Sequence, residues 1–147
     1  MKKSIKFVCL ILVLNLLLTF PVHAASEADP RGSAFFSAYG AALYKLSPTA
    51  FEIWFDVDSN AAVMQEIGVS LIEVYQSYDG EHWTLLKTYE KEDYPQMIDY
   101  NTGSHTGYVT YTNAAPGYYY YACVTFYAKN SYGIGENFIY TEIIRTW

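Results

Sequence analysis

The sequence predicts an all-β protein, a single antiparallel β-sandwich of about seven strands. Segments rich in Val, Ile, Tyr, Phe and Thr recur along the chain, and turns containing Gly, Pro, Asn or Asp separate them every 8–12 residues or so. One segment, 51–58, places Phe51, Ile53, Phe55 and Val57 on one face of a strand. A strand that covers a core on one side has this alternation, and Trp54 then lies on the opposite face.

The predicted strands follow one another from residue 41 to residue 147. The first covers 41–46, in a segment (35–46) that is also compatible with a helix. The pair 69–77 and 83–89 forms a hairpin, because Asp79-Gly80 supplies the positive φ that a tight turn needs. The segment 61–67 is predicted to form a helical turn. The other predicted strands are 106–112, 118–128 and 138–147.

Residues 1–24 are predicted to be a secretory signal peptide. Three lysines precede an almost unbroken apolar run over 7–20, and Val22-His23-Ala24 has small or short residues where a signal peptidase cleaves. An uncleaved anchor is the alternative, but a run of about 14 residues is short for a span that needs about 20. We therefore expect a secreted, extracellular protein that has no membrane attachment after cleavage.

Residues 25–33 are predicted to be a flexible leader, and 34–147 the sandwich domain. Cleavage leaves six basic and 15 acidic residues, a net charge of −9, and Cys123 as the only cysteine. This charge excludes a nucleic-acid partner, which requires a basic surface. The hydrophobic fraction of 52% and the aromatic fraction of 18% exclude a disordered chain.

Three segments resemble parts of a bacterial fibronectin type III domain. The segment 72–86 is similar to its C–C′ hairpin, 115–121, beginning Ala-Pro-Gly-Tyr, to its turn into strand F, and 126–136 to its F–G loop. The resemblance implies a divergent immunoglobulin-like sandwich from a family of small secreted bacterial proteins. It also implies a tyrosine corner, formed by Tyr120 or alternatively by Tyr118. The fold carries no activity of its own, so function must come from a site.

No catalytic, cofactor-binding or metal-binding signature occurs in the sequence, including the serine-hydrolase, zinc-protease, P-loop and dinucleotide motifs. The segment 56–60 begins like a calcium loop, but Ala61 and Ile67 stand where that loop needs Gly and Glu. His82, His105 and Cys123 lie in separate predicted elements. We therefore predict a protein that is not an enzyme and that uses no cofactor or metal.

The tyrosines of the long predicted strand, 118–128, form the candidate binding site. Tyr119, Tyr121 and Tyr127 share the face opposite its core residues. In a fibronectin-like sandwich the neighbouring strands carry Tyr75 and Tyr140, so one sheet would present an exposed aromatic face. Such a face suits a protein or a glycan. Alternatively, the tyrosines pair across strands and only stabilise the sheet.

These features predict an exported, non-enzymatic binding or adhesion module that acts on an extracellular protein or glycan. One alternative is a structural or self-associating envelope protein whose tyrosine-rich face is buried in an oligomer. The second alternative is a small secreted enzyme.

The predicted cleavage site has a direct test. After expression of the full-length sequence in an exporting bacterium, we expect the secreted protein to begin at Ala25, or at Ser26 if cleavage follows Ala25. Intact-mass measurement and N-terminal sequencing check this. A membrane-bound product that retains Met1 would contradict the signal-peptide prediction and support the anchor.

Overall fold

The computed structural model describes residues 34–147, which form two antiparallel sheets packed face to face. The predicted segments 1–24 and 25–33 lie outside the described residues. Within 34–147 no helix has the length and hydrophobicity of a membrane span. The described residues contain one 3₁₀ turn, Pro95–Met97, and nine strands: β1 (Phe36–Ser47), β2 (Ala50–Ser59), β3 (Met64–Ser77), β4 (Thr84–Glu90), β5 (Ile98–Thr102), β6 (Ser104–Tyr111), β7 (Tyr119–Asn130), β8 (Gly133–Tyr140) and β9 (Ile144–Arg145).

The smaller sheet has the strand order β1-β2-β6. The larger sheet has the order β4-β3-β7-β8, with β5 paired to β3 and β9 paired to β7. Every pairing is antiparallel. The all-β sandwich predicted from the sequence is therefore confirmed, and it is compatible with an immunoglobulin-like or fibronectin-like fold.

The inward face of β2 forms the centre of the core. Phe51, Ile53, Phe55 and Val57 are almost completely buried, as the alternation of this segment predicts. They pack against inward-facing residues of the larger sheet, mainly from β3 and β7. The ring of Phe51 lies 5.1 Å from that of Tyr120, centroid to centroid. The two sheets thus share one apolar core, whose burial stabilises both.

Tyr120 is the buried tyrosine of β7, and its hydroxyl group organises the turn before that strand. The Ala115 N–H donates a hydrogen bond of 2.7 Å to the Tyr120 hydroxyl, which lies 3.4 Å from the Ala115 carbonyl. Tyr118 is only partly buried. Of the two tyrosines considered for this corner, Tyr120 therefore makes the bond to the upstream backbone.

The predicted helical turn over 61–67 is wrong, because β3 begins at Met64. Glu66 pairs with Lys129 of β7 and with Tyr100 of β5, so strands on both sides satisfy this backbone. Ala, Met, Gln and Glu have high helix propensity, but the long-range strand pairings outweigh it. Local propensity alone does not predict these pairings.

The region 90–105, between the predicted strands 83–89 and 106–112, contains the 3₁₀ turn and β5. The predicted final strand 138–147 is also interrupted. The Thr141 N–H donates a backbone hydrogen bond of 2.9 Å to the Ala122 carbonyl, but the Ala122 N–H donates its bond of 3.0 Å to the Thr141 side-chain Oγ1 instead of a backbone carbonyl. This contact ends the ladder after Tyr140, and pairing resumes only at β9. The count of nine strands rather than about seven follows from these two differences.

The predicted hairpin turn between β3 and β4 is confirmed. Gly80 has φ 81°, and the Asp79 carboxylate accepts hydrogen bonds of 2.9 Å from the Glu81 and His82 N–H groups. The His82 ring lies 2.7 Å from the same carboxylate. The two backbone bonds are the main reason why the pKa of Asp79 lies far below its usual value. This carboxylate and His82 therefore have a structural role in the turn.

Gly68 and Gly133 provide a matched test of the packing between β3 and the 3₁₀ turn. Both have strongly positive φ, 154° and 150°, but a Cβ at Gly68 would lie 2.1 Å from the Met97 carbonyl oxygen, whereas a Cβ at Gly133 meets no atom within 4 Å. We expect Gly133→Ala to lower the free energy of unfolding by about 1–3 kcal/mol through backbone strain. Gly68→Ala adds the clash with the Met97 carbonyl oxygen to this strain. It should lower the free energy of unfolding by about 4 kcal/mol or more, or prevent folding.

Urea unfolding followed by circular dichroism measures both losses. Equal losses in the two variants would contradict the close contact between Gly68 and Met97.

Candidate functional site

The register of the larger sheet brings three of the five predicted tyrosines together. Tyr75 of β3 stands directly opposite Tyr121 of β7, and Tyr140 of β8 stands opposite Cys123, two residues further along. Their side chains lie on the outer face, since the alternate residues Tyr120, Ala122 and Val124 are buried in the core. The predicted parity is therefore confirmed for this part of the strand.

These side chains form one continuous aromatic cluster with two further rings. Tyr75 and Tyr121 stack with centroids 4.9 Å apart, and Trp83 meets Tyr121 edge-on at 4.6 Å. Tyr140 lies 5.8 Å from Tyr121 and 5.8 Å from Phe138. We call this cluster the tyrosine face; its members are Tyr75, Trp83, Tyr121, Phe138 and Tyr140.

Sequence reasoning missed two members of the tyrosine face. Phe138 precedes Tyr140 by two residues, so strand parity already placed it on the same face. Trp83 begins the predicted strand 83–89 but lies in the loop just before β4, where strand parity does not fix the direction of the side chain. The most exposed rings are Tyr140, at 63%, and Phe138, at 54%.

Tyr119 and Tyr127 share the outer face but are not part of this cluster. The Arg145 guanidinium lies over the Tyr119 ring at 5.1 Å. The Lys91 ammonium lies over the Tyr127 ring at 3.6 Å, and Tyr127 is only 6% exposed. The expectation of an exposed Tyr127 is therefore wrong, because the cation and its neighbours cover this ring.

Charged groups surround the Tyr127 end of the sheet. Glu66 Oε1 accepts a hydrogen bond of 3.0 Å from Lys129, and Glu66 Oε2 lies 3.6 Å from the Lys91 ammonium. The bond from Lys129 is the main cause of a lowered pKa at Glu66, and the same bond raises the pKa of Lys129. Two ammonium groups and one carboxylate thus lie at this end of the outer face, and the aromatic cluster at the other end is its less polar part.

The stacked tyrosines remain protonated over a wider pH range than a free tyrosine. Desolvation is the main cause of the raised pKa of Tyr75, and the Glu73 carboxylate adds to it. Desolvation likewise raises the pKa of Tyr121. The Tyr75 hydroxyl donates a hydrogen bond of 3.3 Å to Glu73. The face therefore offers neutral hydroxyl groups at physiological pH.

Cys123 lies beneath this face rather than on it. It is 7% exposed and lies in the sheet between Glu73 and Tyr140. Burial raises the pKa of its thiol, and Glu73 contributes. A reactive cysteine has the opposite property, a lowered pKa. Cys123 is thus a small packing residue of a covered face in the folded chain.

The other residues considered for metal binding remain apart. His82 lies in the β3–β4 turn, whereas the His105 ring nitrogen Nε2 is 3.0 Å from the Gln96 carbonyl oxygen beside β6. In the part of the chain that the structure describes, no three His, Cys, Asp or Glu side chains form a group able to hold a metal ion. Asp56 and Asp58 point outward from β2 instead of forming a loop.

No protein-family model matches the sequence, and no curated protein matches it significantly.

The cover over Cys123 has a chemical test. At neutral pH we expect the folded protein to react with a thiol reagent more slowly than the urea-unfolded chain, because burial restricts access to the thiol and its raised pKa lowers the thiolate fraction. The rate should also level off at a higher pH in the folded protein than in the unfolded chain, since the pKa of the folded thiol is raised.

Substitutions test whether Tyr140 is the residue that covers the Cys123 thiol. Tyr140→Ala should accelerate the reaction, whereas Tyr132→Ala, in the exposed β7–β8 turn, should leave it unchanged. A native rate equal to that of the unfolded chain would mean that Cys123 is accessible.

Proposed function

We propose that this chain is a secreted, non-enzymatic binding or adhesion module that engages an extracellular protein through the tyrosine face. One observation carries the proposal. The face joins five aromatic side chains into one continuous patch, whose outer rings, Phe138 and Tyr140, are more than half exposed. Contiguous apolar patches of this kind are typical of interaction sites, and tyrosine is enriched in them.

A protein partner fits the orientation of the rings better than a glycan does. A sugar ring packs on an open aromatic face, but Tyr75 and Tyr121 turn their faces toward each other with only 13° between their planes. Trp83 and Tyr140 further enclose Tyr121 with edge-on contacts. The cluster thus offers ring edges and hydroxyl groups, which suit the mixed apolar and hydrogen-bonding contacts of protein interfaces.

A binding role also agrees with the causes of the shifted pKa values of two carboxylates, Asp79 and Glu66, and of the Cys123 thiol. The lowered pKa of Asp79 results from hydrogen bonds within a turn, and that of Glu66 from the bond with Lys129. The raised pKa of Cys123 disfavours the thiolate that a nucleophile requires. Structural contacts thus account for each of these shifts.

Self-association is the second candidate, and the position of β8 favours it. This strand is the end member of the order β4-β3-β7-β8, and it carries both Phe138 and Tyr140. An edge strand with exposed apolar side chains can pair with another chain. In that case, the occupant of the tyrosine face is a second copy of this protein.

The tyrosine face can be tested by cosedimentation with purified bacterial cell walls. We expect the secreted protein to sediment with intact walls but not with walls stripped of protein by protease. Phe138→Ala/Tyr140→Ala should weaken binding by about tenfold or more, because both rings would lie at the contact. Tyr132→Ala removes an exposed ring outside the face and should bind like the parent.

The remaining outcomes separate the alternatives. Equal binding to protease-treated walls or to their purified polysaccharides would transfer the site to a glycan. No binding to any of these walls, together with a concentration-dependent mass in light scattering that the double substitution abolishes, would favour self-association. Circular dichroism must show that the variants are folded.

A further inference from the structure

A second aromatic cluster lies on the outer face of the smaller sheet, on the opposite side of the sandwich. Trp54 of β2 stacks against Tyr108 of β6, with centroids 5.1 Å apart and 21° between the ring planes. Tyr44 of β1 approaches Trp54 at 6.2 Å with nearly perpendicular rings. We call Tyr44, Trp54 and Tyr108 the tryptophan face. All three rings are exposed.

Trp54 is held in place, and one side of its indole remains open. Its Nε1–H donates a hydrogen bond of 2.7 Å to Glu52 Oε2, and Tyr108 covers one ring face. On the other side, the residue opposite Trp54 in β1 is Ala42, whose methyl group is too small to cover an indole. A cleft of about 250 Å³ borders Trp54 and is lined by residues of all three strands, among them Ala42, Tyr44, Asp56 and Thr106.

The tryptophan face is acidic, whereas the basic residues lie elsewhere. Along β2, Glu52, Asp56 and Asp58 alternate with the core residues and point outward. Of the five basic residues in 34–147, four belong to or flank strands of the larger sheet. The fifth, Lys45, donates a hydrogen bond to the Arg145 carbonyl and lies over the Trp147 ring.

Asp56 is the carboxylate that borders the cleft. A Cβ at Gly40 would lie 3.2 Å from Asp56 Oδ1, so the carboxylate leans over β1 where the absence of a side chain leaves room. Within the described residues, no hydrogen bond or ion pair engages this carboxylate. An open indole and an uncompensated carboxylate thus border the same space. A ligand cation would gain from both groups, through the aromatic quadrupole and through a charge-assisted hydrogen bond.

The geometry points to a binding site for an amino-sugar polymer, a glycan that carries free ammonium groups. The apolar face of one sugar ring would pack on the open face of Trp54, and its ammonium group would donate to Asp56. A second cleft, of about 460 Å³, shares Trp54 and Thr106 with the first and adds Gln96 and Tyr108. These hydroxyl and amide groups can hydrogen-bond a neighbouring sugar, and this favours a sugar chain over a basic peptide.

Glucosamine oligomers are the direct probe, measured by isothermal titration calorimetry with the secreted protein. We expect saturable binding that weakens as salt increases, because it includes a charge contact. Trp54→Ala should abolish it. Asp56→Asn should weaken it by about tenfold or more, as the loss of a charge-assisted bond implies. Asp58→Asn is the matched control: it removes the same charge from the same face but outside the clefts, and should bind like the parent.

Two further ligands define the chemistry. N-Acetylglucosamine oligomers have the same rings without the positive charge, and oligolysine has the charge without the rings; both should bind at least about tenfold more weakly. Equal binding of either would overturn the assignment, as would an unchanged affinity in Asp56→Asn or no binding of glucosamine oligomers to the parent. Phe138→Ala/Tyr140→Ala should retain full binding, so this proposal and the function of the tyrosine face can fail independently.

Discussion

The contact between Phe51 and Tyr120 fixes the arrangement on which both outer faces depend. These residues join the middle strand of the smaller sheet to β7 of the larger one, and the hydroxyl of Tyr120 ties β7 to the preceding turn. Because side chains alternate along a strand, the burial of this pair forces Trp54 and Tyr121 outward. A shift of one residue in the pairing register of either strand would turn its outward side chains into the core and its core side chains outward. The core packing therefore determines which aromatic rings meet solvent.

The sequence predicts which residues of β2 and β7 face the core, but it does not predict the contacts that decide how exposed the outward side chains are. The alternation of 51–58 correctly predicts which residues enter the core, since burial on one side imposes a period of two. It cannot predict that Lys91 would cover Tyr127, because these residues are far apart in the chain. The same limit explains the helical turn predicted over 61–67 and the missed β5. Both segments become strands by pairing with distant partners, which outweighs their local propensity.

The two outer faces differ in chemistry although both are aromatic. On the larger sheet, Tyr75 and Tyr121 cover each other's ring faces, and nearby lysines compensate Glu66. On the smaller sheet, Ala42 leaves one face of Trp54 open, and Asp56 has no partner among the described residues. Stacked rings exclude water and rigidify a surface, whereas an open ring beside a free carboxylate can accept a cation. One sandwich thus presents two aromatic surfaces of different chemical character.

The short strand β9 has a consequence for how the chain folds. Ile144 and Arg145 pair with the first residues of β7, and Thr146 Oγ1 donates to the Ala115 carbonyl. Lys45, near the end of β1, reaches the same segment. These bonds join residues about 25 to 100 positions apart, and contacts at such separation make folding slow. Because this closure needs residues 144–146, the sandwich stays incomplete until that segment has paired with β7.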